Sequence, residues 1–100
     1  MGVISLKALR EFWKRHPEAE RPLRLWYKTA LAADWTSLQA LRKTYPHADG
    51  VENENSETLT VFNIGGNKFR LIARIRFDYQ LVNIRAVLTH AEYDSGKWKQ

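Results

Sequence analysis

The sequence predicts an α+β domain in which an N-terminal helical hairpin packs on a small curved antiparallel β-sheet. Two observations carry that expectation. Up to about residue 45 apolar side chains recur at helical spacing, and from Leu59 onward they alternate, as strand residues do when one face of a sheet is covered. Between the two patterns, HADGVENENSE (residues 47–57) is polar, acidic and aperiodic, and reads as a loop. One hundred residues can bury one modest core without staples. The helical part (about 5–45), the loop (about 47–57), the sheet (about 58–88) and a C-terminal segment (89–100) are therefore expected to form a single domain.

Val3-Ile4 reads as a short strand or a packed lead-in. Ser5 is suited to cap a helix over Leu6–Arg15, whose apolar positions are Leu6, Leu9, Phe12 and Trp13. His16-Pro17 ends it, because proline disfavours the α region in the residue before it. A second helix runs from Glu18 or Pro22 to Ala33, with Leu23, Trp26, Tyr27, Ala30 and Leu31 as its stripe. Proline is tolerated in a first turn, where its missing N–H would have no partner. Ser37 can cap a third, short helix that turns Leu38, Leu41 and Tyr45 inward and stops at Pro46. Trp26, Tyr27 and Trp35 fit the core better than a nucleic-acid surface.

In LTVFNIGGNKFRLIARIRFDYQLVNIRAVLTHAEY (59–93), Gly65-Gly66 signals a two-residue hairpin, since glycine accepts positive φ at both central positions. That turn places Asn63 opposite Lys68 and Phe62 opposite Phe69. Phe69, Leu71, Ala73 and Ile75 then face the helices, and Lys68, Arg70, Ile72, Arg74 and Arg76 face the other way. A second turn near Asp78-Tyr79 brings Val82, Ile84, Ala86 and Leu88 to the core side, and Asn83 and Arg85 to the basic side. A one-residue slip would exchange the faces. The outer face is thus expected to hold four arginines, one lysine and two asparagines, which either merely solvate an open sheet or grip a polyanion. After Leu88 a single helical turn around Ala91–Asp94 is expected, then Gly96 and a basic aromatic tail of Lys97, Trp98 and Lys99.

Sixteen Lys and Arg against eleven Asp and Glu give a net charge of +5 and a pI near 9.7, which favours a polyanionic partner. Cysteine is absent, so disulfides and thiolate metal sites are excluded. No apolar run is long enough to cross a membrane and no signal-peptide pattern opens the chain, so a cytoplasmic location is expected. GGNK lacks the spacing of a phosphate-cradling loop. His16, His47 and His90 lie on separate segments without metal-ligand spacing, so neither metal nor cofactor is expected. What remains is a cluster from all three strands and the segment after them: Asn63, Lys68, Arg70, Arg74, Arg85, His90 and Tyr93. Cations there suit phosphates, and His90 and Tyr93 suit proton transfer or base stacking. The plainer roles are a helix-end or solvated histidine for His90 and ring packing for Tyr93. The acidic stretch from Asp49 to Glu57 has two open roles: shielding the basic face or contacting a partner.

VFNIGGNKFRLIARI and IRAVLTHAEYD, with HPEA and LRLWYKTA upstream and W…L…YPHAD between, resemble the HigB toxins of type II toxin–antitoxin modules over essentially the whole chain. The resemblance implies a RelE/ParE-like fold. It also implies an mRNA endoribonuclease acting in the ribosomal A site, neutralised by a helix-turn-helix antitoxin of the HigA type, with operator DNA reached only through that antitoxin. Arg70, in KFRLIA, matches a phosphate-binding arginine in the strand motif YRLVY of RelE-type relatives. Asn63 stands where such relatives can carry a lysine, a departure that weakens any reading of position 63 as a base. His90 and Tyr93 lie in the segment that supplies the late catalytic residues.

The expected mechanism is metal-independent attack of the ribose 2′-OH on its own 3′-phosphate. Arg70 and Arg85 would stabilise charge on the phosphate, His90 would move a proton, and Tyr93 would orient the 2′-OH or stack on a base. Asn63, Lys68, Arg74, Arg76 and Lys97 are the expected contacts to mRNA and ribosomal RNA. A binding module that holds RNA without cutting it, a gyrase-inhibiting ParE-like toxin and an inactive copy of the toxin are the competing readings.

Overall fold

The periodicity of the first 45 residues resolves into three helices. A computed structural model describes residues 1–100. In it α1 (Leu6–Arg15) is followed by a 3₁₀ turn over Pro17–Ala19, then α2 (Glu20–Ala32) and α3 (Leu38–Thr44). Helix α1 buries Leu9, Phe12 and Trp13, and the His16 N–H closes it by donating to the Phe12 carbonyl at 2.9 Å. Helix α2 buries Leu23, Trp26 and Ala30, with Tyr27 half-buried. Leu31, expected inward, is 46% exposed, because it lies about 100° around the helix from Ala30 and only one of the two can sit at the centre of the stripe. Helix α3 starts as expected, with the Ser37 hydroxyl accepting from the Ala40 N–H at 3.1 Å.

Five strands form one sheet in the order β1-β5-β4-β3-β2: β1 (Gly2–Ile4), β2 (Asp49–Glu52), β3 (Thr58–Ile64), β4 (Phe69–Arg76) and β5 (Leu81–Thr89). The Val3-Ile4 segment is a strand, and it pairs with β5 in parallel, so the sheet is antiparallel except at that edge. Residues 49–52, expected within a loop, form the opposite edge, paired antiparallel with β3. DGVE offers one large apolar side chain, and its pairing rests on backbone groups, so no alternation announces it.

The β3–β4 turn also differs from expectation. Ile64 pairs with Phe69 and Asn63 with Arg70, so Gly65 to Lys68 form a four-residue connection and the register moves by two. Both glycines take positive φ, 63° and 70°. An even shift keeps each side chain on its face, so Phe69, Leu71, Ala73 and Ile75 still pack towards the helices.

On β5 the faces change partway along. Ala73 pairs with Ile84, but Ile72 pairs with Ala86, leaving Arg85 as the extra residue of a β-bulge. Val82 and Ile84 join the core beneath the helices, as expected. Ala86 and Leu88, expected beside them, pack instead on the far face against Leu59, Val61 and Ile72, while Val87 takes the inward position. The far face is therefore not simply open. Tyr93 and Trp98 of the C-terminal segment, which holds α4 (His90–Asp94), cover this second small core together with Val51.

Phe62 sits fully buried at the meeting point of the layers, edge-on to Trp26 and to Tyr45 at 5.4 and 5.3 Å between ring centroids. Phe62→Ala is expected to cost about 3–5 kcal/mol, a large part of the 5–15 kcal/mol typical of small domains. Urea unfolding followed by tryptophan fluorescence checks this, with the midpoint falling and the slope unchanged.

Candidate functional site

A five-residue helix is too short to persist alone, so α4 depends on its first turn and its neighbours. The Thr89 hydroxyl accepts from the Glu92 N–H at 3.2 Å, and the Glu92 carboxylate accepts from the Thr89 N–H at 2.9 Å, forming a reciprocal capping box. The bond from the Thr89 N–H holds the Glu92 carboxyl below the usual glutamate range. The His90 N–H donates to the Lys68 carbonyl at 3.2 Å and so ties α4 to the β3–β4 turn.

That anchorage sets His90 and Tyr93 on one short helix beside the turn that holds Arg70. His90 is the first residue of α4, and its Nδ1 lies 2.8 Å from Asp94 Oδ2, one helical turn on. A carboxylate only accepts, so Nδ1 carries the proton in this contact and Nε2 of the neutral ring is the lone-pair site. Tyr93 stacks on Trp98 with centroids 5.1 Å apart and planes 16° from parallel, while the Trp98 indole N–H donates to the Tyr93 carbonyl at 2.9 Å. The Arg70 guanidinium lies 5.3 Å from the Tyr93 ring centre, a cation–π distance. Arg70 is only 8% exposed. Its Nη1 donates to the carbonyls of Asn67 and Phe69 at 3.2 and 3.1 Å, and its Nη2 to Asn67 Oδ1 at 2.5 Å. It is a fixed charge within the turn rather than a mobile surface arginine. Asn63, exposed, is its ladder partner, and Asn63 and Asn67 line a groove of about 460 Å³ with His47 and Gly66. Lys68 is exposed in the same turn.

Arg85 is not in that group. Arg70 pairs with Leu88, which puts Arg85 three residues, roughly 10 Å, further down β5. There the bulge sets it beside Arg74, and both guanidiniums converge on one oxygen: Arg74 Nη1 and Arg85 Nη2 lie 2.9 and 2.6 Å from Glu57 Oε2. The other Glu57 oxygen accepts from Asn53 Nδ2 at 2.9 Å. The Asn53 bond is the largest influence holding the Glu57 carboxyl below the usual range, followed by Arg85 and Arg74. The acidic stretch thus shields part of the basic face. Arg76 is engaged as well, bonded to both Asp78 oxygens at 3.3 and 3.2 Å. Lys97 is exposed in the last 3₁₀ turn. His16 stacks on Phe12 at 4.6 Å and lies 5.9 Å from the Phe69 ring.

Three contributors lie outside the expected set, and Glu57 belongs to it only as the end of the acidic stretch. Asp94, at i+4 from His90, carried a legible signal. Trp98 was read as part of a basic tail rather than as the stacking partner of Tyr93. Asn67 and Glu57 act across turns whose geometry no spacing rule marks.

The net charge has an uneven address. Nine Lys and Arg against four Asp and Glu lie at residues 1–46, and seven against seven lie beyond. The whole +5 therefore belongs to β1 and the helical layer, while the segment carrying the other four strands and the site is balanced.

Residues 19–96 match the family described as HigB_toxin, RelE-like toxic component of a toxin-antitoxin system. The chain is 31% identical over 94 residues, 94% of its length and 88% of the relative's, to the mRNA interferase toxin HigB of Escherichia coli strain K12. The mRNA interferase HigB of Shigella flexneri matches with the same identity and coverage. A further mRNA interferase HigB, from Escherichia coli O6:H1, is 28% identical over 94 residues, 89% of that protein.

The Glu57 geometry has a pH consequence. Its carboxyl titrates lower in the fold than its ordinary value of 4.5, so its contribution to stability is present above that value and is lost as pH falls through the folded pKa. Wild type should lose more thermal stability on acidification below 4.5 than Glu57→Gln does. Melting temperatures measured across that range for both proteins check it.

Proposed function

The chain belongs to the HigB toxin family, and from that premise we propose that it is a type II toxin that stops translation by cutting mRNA in the ribosomal A site. The observation that supports this most is Arg70 set against the Tyr93 ring, with the His90–Asp94 pair on the same short helix as Tyr93. A fixed cation, an aromatic phenol and an imidazole with one free nitrogen are the groups that RNA cleavage by its own ribose requires.

In this mechanism the 2′-oxygen forms a bond to the adjacent phosphorus while the bond from phosphorus to the 5′-oxygen breaks, giving a 2′,3′-cyclic phosphate and a 5′-OH. His90 Nε2 takes the 2′-OH proton, and Asp94 stabilises the imidazolium that forms. Arg70 bears the charge that gathers on the non-bridging oxygens, and its hydrogen bonds to Asn67 and Phe69 hold it in place beforehand, so little reorganisation is needed. The Tyr93 hydroxyl gives a proton to the departing 5′-oxygen. No metal enters, because the nucleophile belongs to the substrate and geometry supplies much of the acceleration. Asn63, Lys68, Arg74, Arg76 and Lys97 contact the strand or ribosomal RNA around this centre. Arg85, set apart by the bulge, acts with Arg74 rather than with Arg70. The partner is a HigA-type helix-turn-helix antitoxin, which alone links the toxin to operator DNA, and the setting is the cytoplasm.

Removing a general base typically costs about 10²–10⁴ in rate, and removing one charge-stabilising donor about 10²–10³. His90→Gln and Arg70→Ala should show losses of those sizes in cleavage of a ribosome-bound transcript mapped by primer extension. Circular dichroism is needed beside Arg70→Ala, since that guanidinium also holds the turn. If folded Arg70→Ala cuts as fast as wild type, the assignment of Arg70 is wrong. If wild type leaves the transcript whole, or blocks gyrase instead, the nuclease reading fails altogether.

A further inference from the structure

Away from Arg70, the basic face holds a second arrangement built around a single oxygen. Arg74 on β4 and Arg85 at the β5 bulge both donate to Glu57 Oε2, at 2.9 and 2.6 Å. The arginine side chains are 44% and 40% exposed, and the carboxylate between them only 19%. Glu57 is presented by a tightly closed turn. The Asn53 N–H donates to the Glu57 carbonyl at 2.9 Å, Asn53 Oδ1 accepts from the N–H groups of Asn55 and Glu57 at 3.0 and 2.9 Å, and Ser56 takes a left-handed φ of 62°. The carboxylate is thus delivered by the β2–β3 turn to a pair of guanidiniums supplied by two other strands.

Two guanidiniums directed at one anionic oxygen make a receptor for phosphate as much as for carboxylate. We propose that Arg74 and Arg85 form a second phosphate subsite for the RNA backbone, and that Glu57 occupies it in the free protein as a carboxylate stand-in which RNA displaces. This rests on the reading of RNA as the substrate and adds a competition built into the fold. Displacement exchanges one charge-assisted set of hydrogen bonds for another, so the subsite contributes little net affinity while Glu57 is present. Its effect is selective, because a strand must reach both the Arg70 end and this subsite, roughly 10 Å apart along the sheet, before Glu57 yields.

The test uses the full-length protein and a single-stranded RNA oligonucleotide 2′-O-methylated throughout, which lacks the nucleophile and can be bound but not cut. Fluorescence anisotropy over a series of KCl concentrations reads affinity and salt dependence. Glu57→Gln keeps the shape of the side chain and removes the competing charge. It should bind roughly three- to tenfold more tightly, with a log–log salt slope steeper by up to about 0.7, the value for one single-strand phosphate whose neutralisation is no longer offset by a freed carboxylate. Adding Arg74→Ala and Arg85→Ala to that variant should abolish both gains. Unchanged affinity and slope in Glu57→Gln, or gains that survive loss of the two arginines, would overturn the proposal.

A second readout needs no variant beyond those used for assignment. The side-chain Nε–H resonances of Arg74 and Arg85 in wild type should shift on titration with the same oligonucleotide, and resonances that stay fixed while RNA binds refute the displacement. Failure of the nuclease reading shows itself elsewhere, as an uncut transcript on ribosomes, whatever the outcome of these binding measurements.

Discussion

One extra residue in β5 governs how the two faces of this sheet are used. Up to Ile84 the strand alternates in step with β4 and buries Val82 and Ile84 under the helices. Arg85 has no partner opposite it, and beyond it the alternation is inverted, so that Ala86 and Leu88 turn to the far side. Without the bulge Val87 would take the far side in place of Ala86 and Leu88, and Leu59, Val61 and Ile72 would lose both of those neighbours. With it they form a small second core, and the C-terminal segment has something to pack upon. Tyr93 and Trp98 are held by that core, and Tyr93 meets Arg70 because Trp98 supports it from beside. The same residue that breaks the ladder also delivers a guanidinium next to Arg74. A bulge that bends a strand and re-aims a side chain here serves packing and electrostatics at once.

The charge distribution reinforces the separation of faces. On the site side three arginines are matched by acids, Arg74 and Arg85 by Glu57 and Arg76 by Asp78. On the helices Arg10, Lys14, Arg15, Arg21 and Lys28 are exposed and have no acidic partner within ion-pair distance. A long-range field suited to a polyanion is therefore generated mainly by the helical layer, whereas on the site side these arginines are engaged at short range. Within a Debye length of about 10 Å at ordinary salt, the two effects operate largely independently across a domain 23 Å through its thinnest dimension.

Much of this was legible from residue patterns, and the exceptions share a physical cause. Helix α1, the Ser37 cap and the inward row from Phe69 to Ile75 followed from periodicity and capping chemistry, because burial forces a regular spacing on the chain. The Gly65-Gly66 turn was recognised but its length was not. Arg70 and Asn67 lock a four-residue turn through contacts that depend on three-dimensional closure. Strand β2 went unseen because an edge strand needs only backbone partners. The reversal at Arg85 was invisible, since Ala86, Val87 and Leu88 are all apolar and satisfy either parity. At the site, His90, Tyr93 and Arg70 were identified by resemblance and residue type, and their proximity is a consequence of the capping box and the second core. Arg85 was grouped with Arg70 by face alone, and the position along the strand separates them.

The capping box that begins α4 joins functional geometry to a melting unit. Thr89 and Glu92 start a helix of five residues that rests on Leu59, Val61 and Ile72 through Tyr93, with Trp98 of the following turn beside it. Local unfolding proceeds in cooperative patches, and here the patch includes both the imidazole-bearing turn and the lid of the small core. Any excursion that frays this turn exposes greasy surface on the sheet at the same moment as it frees His90 and Tyr93 from their places beside the Arg70 turn. The fold thereby couples the arrangement of these side chains to concealment of a sticky surface.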